Sequence, residues 1–368
     1  MGAPLFSPLT LRGLTIPNRV VVGPMCQYSA VNGDASDWHL MHLGQYAKSG
    51  AGLVITESAH VEPIGRITHG CLGLYSDANE EALGRVVDFC HTHGTAKLGV
   101  QLSHAGRKGS TRLPWEGRAA PLDAEGWDTV GASGQPRAEG WPRPAPLDNA
   151  GMDRVRRAHV DAVTRAARIG FDLVELVMAH GYLLHEFLSP LSNHRTDTHG
   201  GDLNNRMRFP LSVFTAMRAA WPKDKPFGVR VSATDWVDGG WTPDNTIVLA
   251  NALKKLGCDY VAVSTGGLSL DQKIALGEGH QISFAARIRK AAGLPVMAMG
   301  MIEDPLHANR IIDDGDADMV ALARAMLSDP HWPWRAAAAL GEDVNYPSQY
   351  LRGYRSKWLR ERRATPSQ

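Results

Sequence analysis

The sequence predicts one α/β barrel built from eight strand–helix units, and three observations support this prediction. Short apolar runs rich in β-branched residues recur eight times along the 368 residues, and stretches with helical spacing separate them. Strand and helix alternate throughout, which favours a parallel sheet with right-handed crossovers. The chain is longer than an average domain but has the size that a barrel of this kind reaches. Eight such units close into a (β/α)8 TIM barrel.

The apolar runs define the positions of the eight strands. We expect them at residues 19–25, 52–57, 97–103, 172–177, 226–232, 259–264, 294–300 and 318–324. A doubly wound open sheet would use the same alternating units, but the glycine-rich fingerprint that follows its first strand is absent from this sequence. The closed barrel is therefore the favoured arrangement.

Helical patterns fill the gaps between these runs, and two of them are well defined. Between strands three and four, apolar residues from Val155 to Ala167 repeat at helical spacing. Between strands four and five, Asp202 is suited to cap the N-terminus of a helix that runs towards Trp221. Helices in these positions connect one parallel strand to the next.

Two regions do not fit the repeat. Residues 110–151 are rich in Gly, Pro, Trp and Ala and follow strand three, so we expect a long excursion over the barrel mouth. The last residues interleave arginines with aromatic side chains, which suits either a solvated tail or an arm that reaches a neighbouring subunit. We predict a single barrel domain at residues 1–345 and a C-terminal arm at residues 346–368, at a subunit interface.

Composition excludes several classes of partner. The net charge of +1 gives no general attraction to nucleic acid or to an acidic membrane. The N-terminus lacks the basic and apolar regions of a secretion signal, and no apolar run is long enough to span a bilayer. We therefore predict a cytoplasmic protein that acts on a small molecule.

The cysteines and histidines do not form a metal-site pattern. The four cysteines are Cys26, Cys71, Cys90 and Cys258. They include no C-x-x-C pair, so neither a disulfide framework nor a structural zinc site is expected, and a reducing compartment is favoured. The closely spaced histidines His39 and His42 are interpreted as helix-surface or capping residues, and we predict no metal ion.

Candidate site residues collect at the C-terminal ends of the predicted strands, which face one mouth in a barrel. In chain order they are Pro24, Met25, Cys26, Tyr28, Glu57, Ser58, Gln101, Lys108, Val177, His180, Tyr182, Arg230, Gly300 and Arg324. His180 and Tyr182 stand two residues apart after strand four and make a pair of hydrogen-bond donors. We expect the chemistry to take place at this end of the barrel.

Two glycine-containing turns and one arginine predict a phosphate site. The turns at residues 264–267 and 298–301 place backbone N–H groups where an anion can approach closely, and Arg324 adds a planar charged fork. Phosphate sites after the last strands recur in this fold. Glycines also end strands for steric reasons, so each turn alone is a weaker indication than the set.

Gln101 and Arg230 are candidates for binding a heteroaromatic ring. An amide both donates to and accepts from the polar edge of a flavin, and an arginine stabilises the charge that a reduced ring acquires. An interpretation of nearly equal weight is that Gln101 is a buried polar side chain of the core whose hydrogen bonds are satisfied within the protein. Arg230 inside a barrel strand is harder to explain without a partner, because a buried unpaired charge is costly.

A barrel hydrolase is the alternative from a different enzyme class. Glu57 and Glu175 would form its acid/base pair. That interpretation gives no role to Arg230 and Arg324 together, and it places Glu175 deeper in its strand than Val177. A scaffold without catalytic activity would explain neither the phosphate turns nor the donor pair.

The motifs at the strand ends resemble the old yellow enzyme family of FMN-dependent ene-reductases, and in particular its thermophilic-like subgroup. The similarity rests on Pro24-Met25-Cys26-Gln27-Tyr28-Ser29, on QLSHAGRK at residues 101–108, on HGYLLHEFLSP at residues 180–190 and on NHRTD at residues 193–197 with two following glycines. It extends over nearly the whole chain. It implies a barrel that holds FMN without a covalent bond and a ping-pong cycle in which NADPH or NADH reduces the flavin before an activated alkene reoxidises it.

The resemblance also implies roles for individual residues. Tyr182 would protonate the alkene, His180 would donate to the substrate oxygen, and Cys26 would tune the flavin. Substrate-binding positions are Tyr28, Val177, Lys108 and, from a partner subunit, Arg352. Cofactor-binding positions are Pro24, Met25, Cys26, Ser58, Gln101, Arg230, Gly300 and Arg324. A homodimer or a dimer-based tetramer is expected.

Two positions depart from the pattern of the subgroup. Where the family has a histidine that helps to bind the substrate carbonyl, this chain has Val177, which has no donor, followed by Met178. A reshaped substrate range, a pocket diverged or engineered for another reaction such as proton transfer, and a weak reductase are three explanations. Ser58 replaces a frequent alanine, and its hydroxyl would either perturb the flavin or bond to the backbone.

Overall fold

Eight parallel strands close into a barrel in the computed structural model, which describes residues 2–117, 120–123 and 125–352. Strands β1 to β8 are Val20–Val22, Leu53–His60, Lys97–Ser103, Leu173–Met178, Phe227–Ser232, Tyr260–Ser264, Val296–Ala298 and Met319–Leu322. Strand β8 pairs with β1, in a register that sets Val320 opposite Val20, and this pairing completes the circle. The predicted (β/α)8 barrel is confirmed.

The observed strand ends differ from the predicted ones where a residue or a register shift interrupts or extends the hydrogen bonds between neighbouring strands. Strand β1 stops before Pro24, which has no N–H to donate to a neighbouring strand. Strand β2 continues to His60 because its register with β3 shifts between Ile55 and Ser58, as at a β-bulge. Strand β8 ends at Leu322, so Arg324 belongs to the next helix and not to the strand.

Helices surround the barrel. The longer ones are Asp37–Ala47, Asp77–His93, Asn149–Arg168, Leu203–Ala220, Pro243–Lys255, Ile282–Ala292, Pro305–Asp313 and Trp332–Leu340. Shorter helices are Pro114–Gly117, Leu183–Leu188 and Arg324–Ser328, and 3₁₀ turns occupy Pro4–Phe6, Pro63–Gly65, Gly106–Lys108 and Ser348–Tyr350.

Both helices that the sequence defined well are confirmed. The carboxylate of Asp202 accepts the N–H of Asn205 at 3.0 Å and so caps the helix that ends before Trp221. In helix Asn149–Arg168, the apolar residues at helical spacing, including Val155 and Ala162, are buried against the barrel.

The barrel interior is filled by side chains from alternate positions of the strands. Its apolar members include Val21, Leu53, Ile55, Leu173, Tyr260, Ala262, Met297, Met299, Met319 and Ala321. A hairpin of strands Leu9–Leu11 and Leu14–Ile16 contributes Leu11 and Ile16 to the same cluster. Because most of these side chains come from the first residues of their strands, the hairpin closes the end of the barrel opposite the mouth.

The excursion after β3 is anchored beside the barrel mouth. It contains helix Pro114–Gly117 and a parallel pair of two-residue strands, Val130–Gly131 and Ala145–Pro146. The carboxylate of Glu186, in the helix after β4, accepts the backbone N–H groups of Arg107 at 2.8 Å and Ala132 at 3.2 Å. One buried carboxylate therefore joins the excursion to two strand ends.

Other expectations have mixed outcomes. His39 joins Ser36 in a capping box, as interpreted, but both His39 and His42 are buried, so their assignment to the helix surface was wrong.

Of the predicted arm, residues 353–368 lie outside the described residues. No helix in the described part of the chain is long and apolar enough to cross a membrane.

Candidate active site

The turn after β4 places His180 and Tyr182 side by side. His180 and Gly181 both have left-handed backbone conformations, with φ of 59° and 71°. A Cβ atom at Gly181 would lie 2.7 Å from the carbonyl oxygen of Gly267, so only glycine fits this close approach. The rings of His180 and Tyr182 meet edge to face, with centroids 6.3 Å apart.

His180 is held as a neutral imidazole. Its Nε2 atom lies 2.8 Å from the hydroxyl oxygen of Ser264, at the end of β6. Burial lowers the pKa of His180 well below its ordinary value, and the positive charges of Arg230 and Lys108 lower it further. At neutral pH the ring therefore has one N–H to donate and one nitrogen that accepts.

Tyr182, Tyr28 and Cys26 pack around a small apolar cluster formed by Ile67, Cys71 and Ala105. Burial raises the pKa of the Tyr182 phenol, so this group keeps its proton at neutral pH and is suited to act as an acid. Burial, and then the negative charge of Glu57, raise the pKa of the Cys26 thiol. The fold thus joins three predicted site residues, and Cys26 is a thiol rather than a thiolate.

Lys108 ties two turns of the mouth together. Its ammonium group donates to the carbonyl oxygens of His180 at 2.7 Å and Gly267 at 3.0 Å. It also lies 4.8 Å from the centre of the Tyr182 ring. Burial, followed by the charges of Arg137 and Arg107, lowers the pKa of Lys108 to about 7. This clamp was not foreseen from the sequence, which placed Lys108 only among substrate-binding residues.

Ser58, Gln101 and Glu175 form a hydrogen-bonded row inside the barrel. The Ser58 hydroxyl donates to Gln101 Oε1 at 2.5 Å, and Gln101 Nε2 donates to Glu175 Oε1 at 2.7 Å. The hydroxyl of Tyr260 donates to the other Glu175 oxygen at 3.0 Å. The expectation that Ser58 either bonds to the backbone or only perturbs the flavin was incomplete, because its partner is the side-chain amide of Gln101.

Arg230 lies beside Val177 at the mouth end of this row. The two residues are paired in register between β4 and β5. The Arg230 guanidinium donates to Met299 Sδ at 3.2 Å, while its Nε atom is buried with no partner among the described residues. A buried donor without a partner is rare in a folded protein. Its presence here fits a bound acceptor, such as the ring of a flavin.

A cavity of about 150 Å³ opens at the ends of β7 and β8. Its lining includes Arg230, Ser264, Gln281, Gly300 and Arg324. Gly300 has a φ of 121°, and the Oε1 atom of Gln281 is buried with no partner in the described part of the chain. The turn at residues 298–301 and Arg324 are therefore brought together around a polar space, as the phosphate prediction requires.

Of the second predicted phosphate turn, at residues 264–267, Ser264 lines the same cavity, but the prediction was wrong for the N–H groups of Gly266 and Gly267. The N–H of Gly266 donates to the carbonyl of Thr234 at 2.8 Å, and the N–H of Gly267 donates to Gln272 Oε1 at 2.6 Å. These groups are thus not available to an anion. The turn instead supports His180, through the hydroxyl of Ser264 and the close approach of Gly267.

The carboxylates of the hydrolase alternative are both engaged within the protein. Glu57 Oε2 accepts the backbone N–H of Gln27 at 3.0 Å, and its other oxygen lies 3.2 Å from His39 Nε2. Glu175 accepts from Gln101 and Tyr260. The geometry gives neither carboxylate the free position that an acid/base pair needs, so that alternative loses its support.

The structure does not bring Arg352 to the mouth of its own barrel. Arg352 follows the turn Ser348–Tyr350, where the ring of Tyr350 lies 5.8 Å from that of Trp334. Trp334 packs against Gly50, which precedes β2, at the end of the barrel opposite His180. Arg352 is exposed there.

Comparison with known proteins identifies the class to which this fold and site belong. The model of the NADH:flavin oxidoreductase / NADH oxidase family matches residues 4–343. The chain therefore belongs to this family, the old yellow enzymes, and the resemblance seen in its motifs is confirmed. It is an NAD(P)H-dependent flavin oxidoreductase, and its cofactor is FMN.

Individual relatives are similar over almost the whole chain. The NADPH dehydrogenases of Geobacillus thermodenitrificans and Bacillus subtilis are 39% and 36% identical to it, over 96% of this chain and 100% of each relative. The structure of morphinone reductase is 27% identical, with a TM-score of 0.77, and the match covers 95% of this chain and 92% of that one. A 2-naphthoyl-CoA reductase complex, 22% identical with a TM-score of 0.83 over 93% of this chain and 53% of that one, shares the fold.

Three contributors to the site were missed by reasoning from the sequence. Ser264 was assigned to a phosphate turn, Tyr260 was included in a predicted strand without a role in the site, and Gln281 was not considered. Tyr260 had a usable signal, since a phenol hydroxyl in a barrel interior needs a partner. Gln281 had none, because it lies in a loop whose path depends on the whole fold.

Proposed function

We propose that this protein reduces the C=C bond of activated alkenes that are conjugated to a carbonyl or nitro group, with NADPH or NADH as the reductant. The observation that supports this proposal is the pairing of a neutral His180 with a protonated Tyr182 in one turn at the barrel mouth. Such a pair offers a donor for the activating oxygen and a proton for the carbon next to it. The names of the similar proteins, NADPH dehydrogenase and morphinone reductase, agree with a reductase.

We assign FMN to the row and cavity at the strand ends. The residues that would hold it are Pro24, Met25, Cys26, Ser58, Gln101, Arg230, Gly300 and Arg324. The unpartnered Nε of Arg230 and Oε1 of Gln281 support the fit, because each needs a hydrogen-bonding partner. FMN bound by these residues would supply the hydride-transfer chemistry that links the nicotinamide to the alkene.

The protein side chains position the substrate and supply the proton. His180 donates to the activating oxygen, and Tyr182 transfers its phenolic proton to the α-carbon. Tyr28, Val177 and Lys108 line the substrate side of the mouth. Tyr28 packs edge to face against Trp115 of the excursion, with ring centroids 6.0 Å apart, so the excursion helps to exclude water.

Val177 leaves this mechanism with one hydrogen-bond donor fewer for the substrate oxygen. Loss of one preorganised donor costs roughly 3 kcal/mol of transition-state stabilisation. We propose a reductase with an altered substrate range, in which His180 alone holds the oxygen. A pocket that serves another reaction, such as proton transfer by Tyr182, is the second candidate, and the absence of a donor at Val177 is the observation in its favour.

An anaerobic experiment separates these two candidates. The purified protein is reduced with NADPH while the flavin absorbance is followed, and 2-cyclohexenone is then added. Rapid reoxidation is the expected result and supports the reductase. Full reduction without reoxidation by this or other activated alkenes would refute it in favour of the second candidate.

We also propose the assembly and location of the protein. Residues 1–345 would form the FMN barrel domain, and residues 346–368 an arm that brings Arg352 to the site of a second copy in a homodimer or dimer-based tetramer. The position of Arg352 away from the mouth of its own barrel supports an arm that acts between subunits. The four free cysteines suit a reducing compartment such as the cytoplasm.

A further inference from the structure

One layer of the barrel interior is polar where a barrel interior is usually apolar. In register across neighbouring strands lie Ser58 on β2, Gln101 on β3, Glu175 on β4, Gly228 on β5 and Tyr260 on β6. The four side chains of this layer are almost completely buried, with exposures between 0% and 4%. They are linked by the three hydrogen bonds described above, so the layer is a continuous network.

Glycine at position 228 makes the network possible. A Cβ atom there would lie 2.1 Å from the ring of Tyr260. Without a side chain on β5 at this level, the Tyr260 ring crosses the gap from β6 and its hydroxyl reaches Glu175 on β4. Glu175 thereby has a donor at each of its two oxygens.

The network determines which way the Gln101 amide points. A side-chain amide has two N–H donors and two acceptor positions on its oxygen. Glu175 takes one N–H and Ser58 occupies one acceptor position. A flipped amide would set its carbonyl oxygen against the Glu175 carboxylate, which is repulsive. One N–H and one acceptor position remain for a ligand in the mouth.

The charge of Glu175 acts on the same ligand site. Glu175 on β4 lies two positions deeper in the barrel than Val177, the register partner of Arg230 on β5. Each oxygen of Glu175 accepts a hydrogen bond, as a carboxylate does. Burial, the largest influence, raises the pKa of Glu175, and the charge of Arg230 and these two hydrogen bonds compensate in part. The negative charge of Glu175, deeper in the barrel, therefore partly cancels the positive charge that Arg230 presents to a bound ring.

We infer that Ser58 and Glu175 are positioning residues for FMN: Ser58 holds the Gln101 amide in one orientation towards the polar edge of the isoalloxazine, and Glu175 fixes that orientation while lowering the reduction potential of the flavin. This inference deepens the proposed function, since it rests on the binding of FMN at the ends of β3 and β5. It gives Ser58 a role in the site.

Ser58→Ala tests the orientation, with Ser49→Ala as its matched control. Ser49 is a fully buried serine before β2, at the opposite end of the barrel, and its hydroxyl oxygen accepts the N–H of Ala51 at 3.3 Å. Loss of one hydrogen bond in a binding site corresponds to roughly three- to tenfold in affinity. We expect Ser58→Ala to weaken FMN binding by about that factor and to shift the visible absorption bands of the bound flavin. Ser49→Ala should change neither.

Glu175→Gln tests the charge. It keeps the size and shape of the side chain and removes one negative charge below the ring. Because reduction adds negative charge to the flavin, the midpoint potential of the variant should move to a more positive value. Ser58→Ala, which leaves the charge in place, should move the potential less.

The outcomes separate this inference from the function on which it rests. Wild-type protein that binds FMN, with Ser58→Ala unchanged in affinity and spectrum, would overturn the orientation part alone. An unchanged potential in folded, FMN-bound Glu175→Gln would overturn the part about charge. Wild-type protein that fails to bind added FMN would overturn the proposed function and the inference together.

Discussion

At position 177 a valine lies where the resemblance to old yellow enzymes would have a histidine, and its surroundings decide what the change does. Val177 is almost fully buried and is paired in register with Arg230. Its side chain therefore presents an apolar surface beside the guanidinium of Arg230. The remaining donors of the turn, His180 and Tyr182, are held by a left-handed backbone and by contacts from β6.

A donor restored at this position should restore carbonyl activation. We expect Val177→His to raise turnover of 2-cyclohexenone at least about tenfold, because the new imidazole adds a second hydrogen bond to the developing oxyanion. Steady-state kinetics under saturating NADPH measure the effect. Val177→Leu, which adds bulk without a donor, should give no gain. Unchanged turnover in Val177→His would show that position 177 does not limit the reaction.

Removal of the phenolic proton should affect one half of the cycle. We expect Tyr182→Phe to slow flavin reoxidation by the alkene about 100-fold, because general acid catalysis contributes on that order. Flavin reduction by NADPH should stay close to the wild-type rate. Stopped-flow absorbance separates the two half-reactions, and Tyr46→Phe, which removes a buried hydroxyl bonded to the carbonyl oxygen of Met326, is the control. An equal loss in both half-reactions would argue against a proton-donor role.

At the scale of elements, charged side chains join neighbouring strand–helix units around the mouth. Glu62, just after β2, receives hydrogen bonds from His104 after β3 at 2.8 Å and from Arg154 in helix Asn149–Arg168 at 3.1 Å. Glu186 plays a similar part between the excursion and the helix after β4. The strand ends are thus fixed to each other by more than the ladder of the barrel.

The Glu62 junction should make stability depend on pH in the acid range. Burial alone would raise the pKa of Glu62, but the bonds and charges of His104 and Arg154 outweigh it and lower the pKa from 4.5 to about 2. The stabilisation is therefore complete above about pH 4.5 and is lost as pH falls towards 2. The full contribution of the Glu62 junction to the free energy of unfolding is about 3 kcal/mol.

Urea unfolding of wild type and Glu62→Gln at pH 7 and pH 3 measures this contribution. The variant should be less stable at pH 7, and it should lose less stability than wild type on acidification. Asp37→Asn, which alters an exposed ion pair with Arg85, is the control and should follow the wild type. Parallel losses in wild type and Glu62→Gln would contradict the assignment.

At the scale of the whole molecule, the arm should decide assembly. We expect the full chain to have at least twice the mass of one subunit in solution, and a chain ending at residue 345 to be monomeric. Mass photometry measures both. Arg352→Ala should keep the assembly and alter the KM for the alkene. A monomeric full-length chain would refute the interface.

The barrel was predictable because its signals are local. Each strand is an apolar run of a few residues, and the helix caps, such as Asp202, are read within one turn. Most of the candidate site followed from the rule that strand ends meet at one mouth. The contact between Ser58 and Gln101 did not, because it depends on the register shift between Ile55 and Ser58. The two carbonyl partners of Lys108 depend on how two turns pack, which no local pattern contains.

The close contact between the turns after β4 and β6 also limits how this catalyst can change. Gly181 and Gly267 each approach the backbone of the opposite turn more closely than any side chain allows. Libraries that randomise these two positions, or insert residues between them and the strands, should yield mostly misfolded protein. Adaptation to new substrates is then confined to side chains such as Val177 and to the excursion, which touches the mouth through Trp115. New substrate specificity should therefore arise from changes in the excursion and in side chains such as Val177, while the turns after β4 and β6 stay the same.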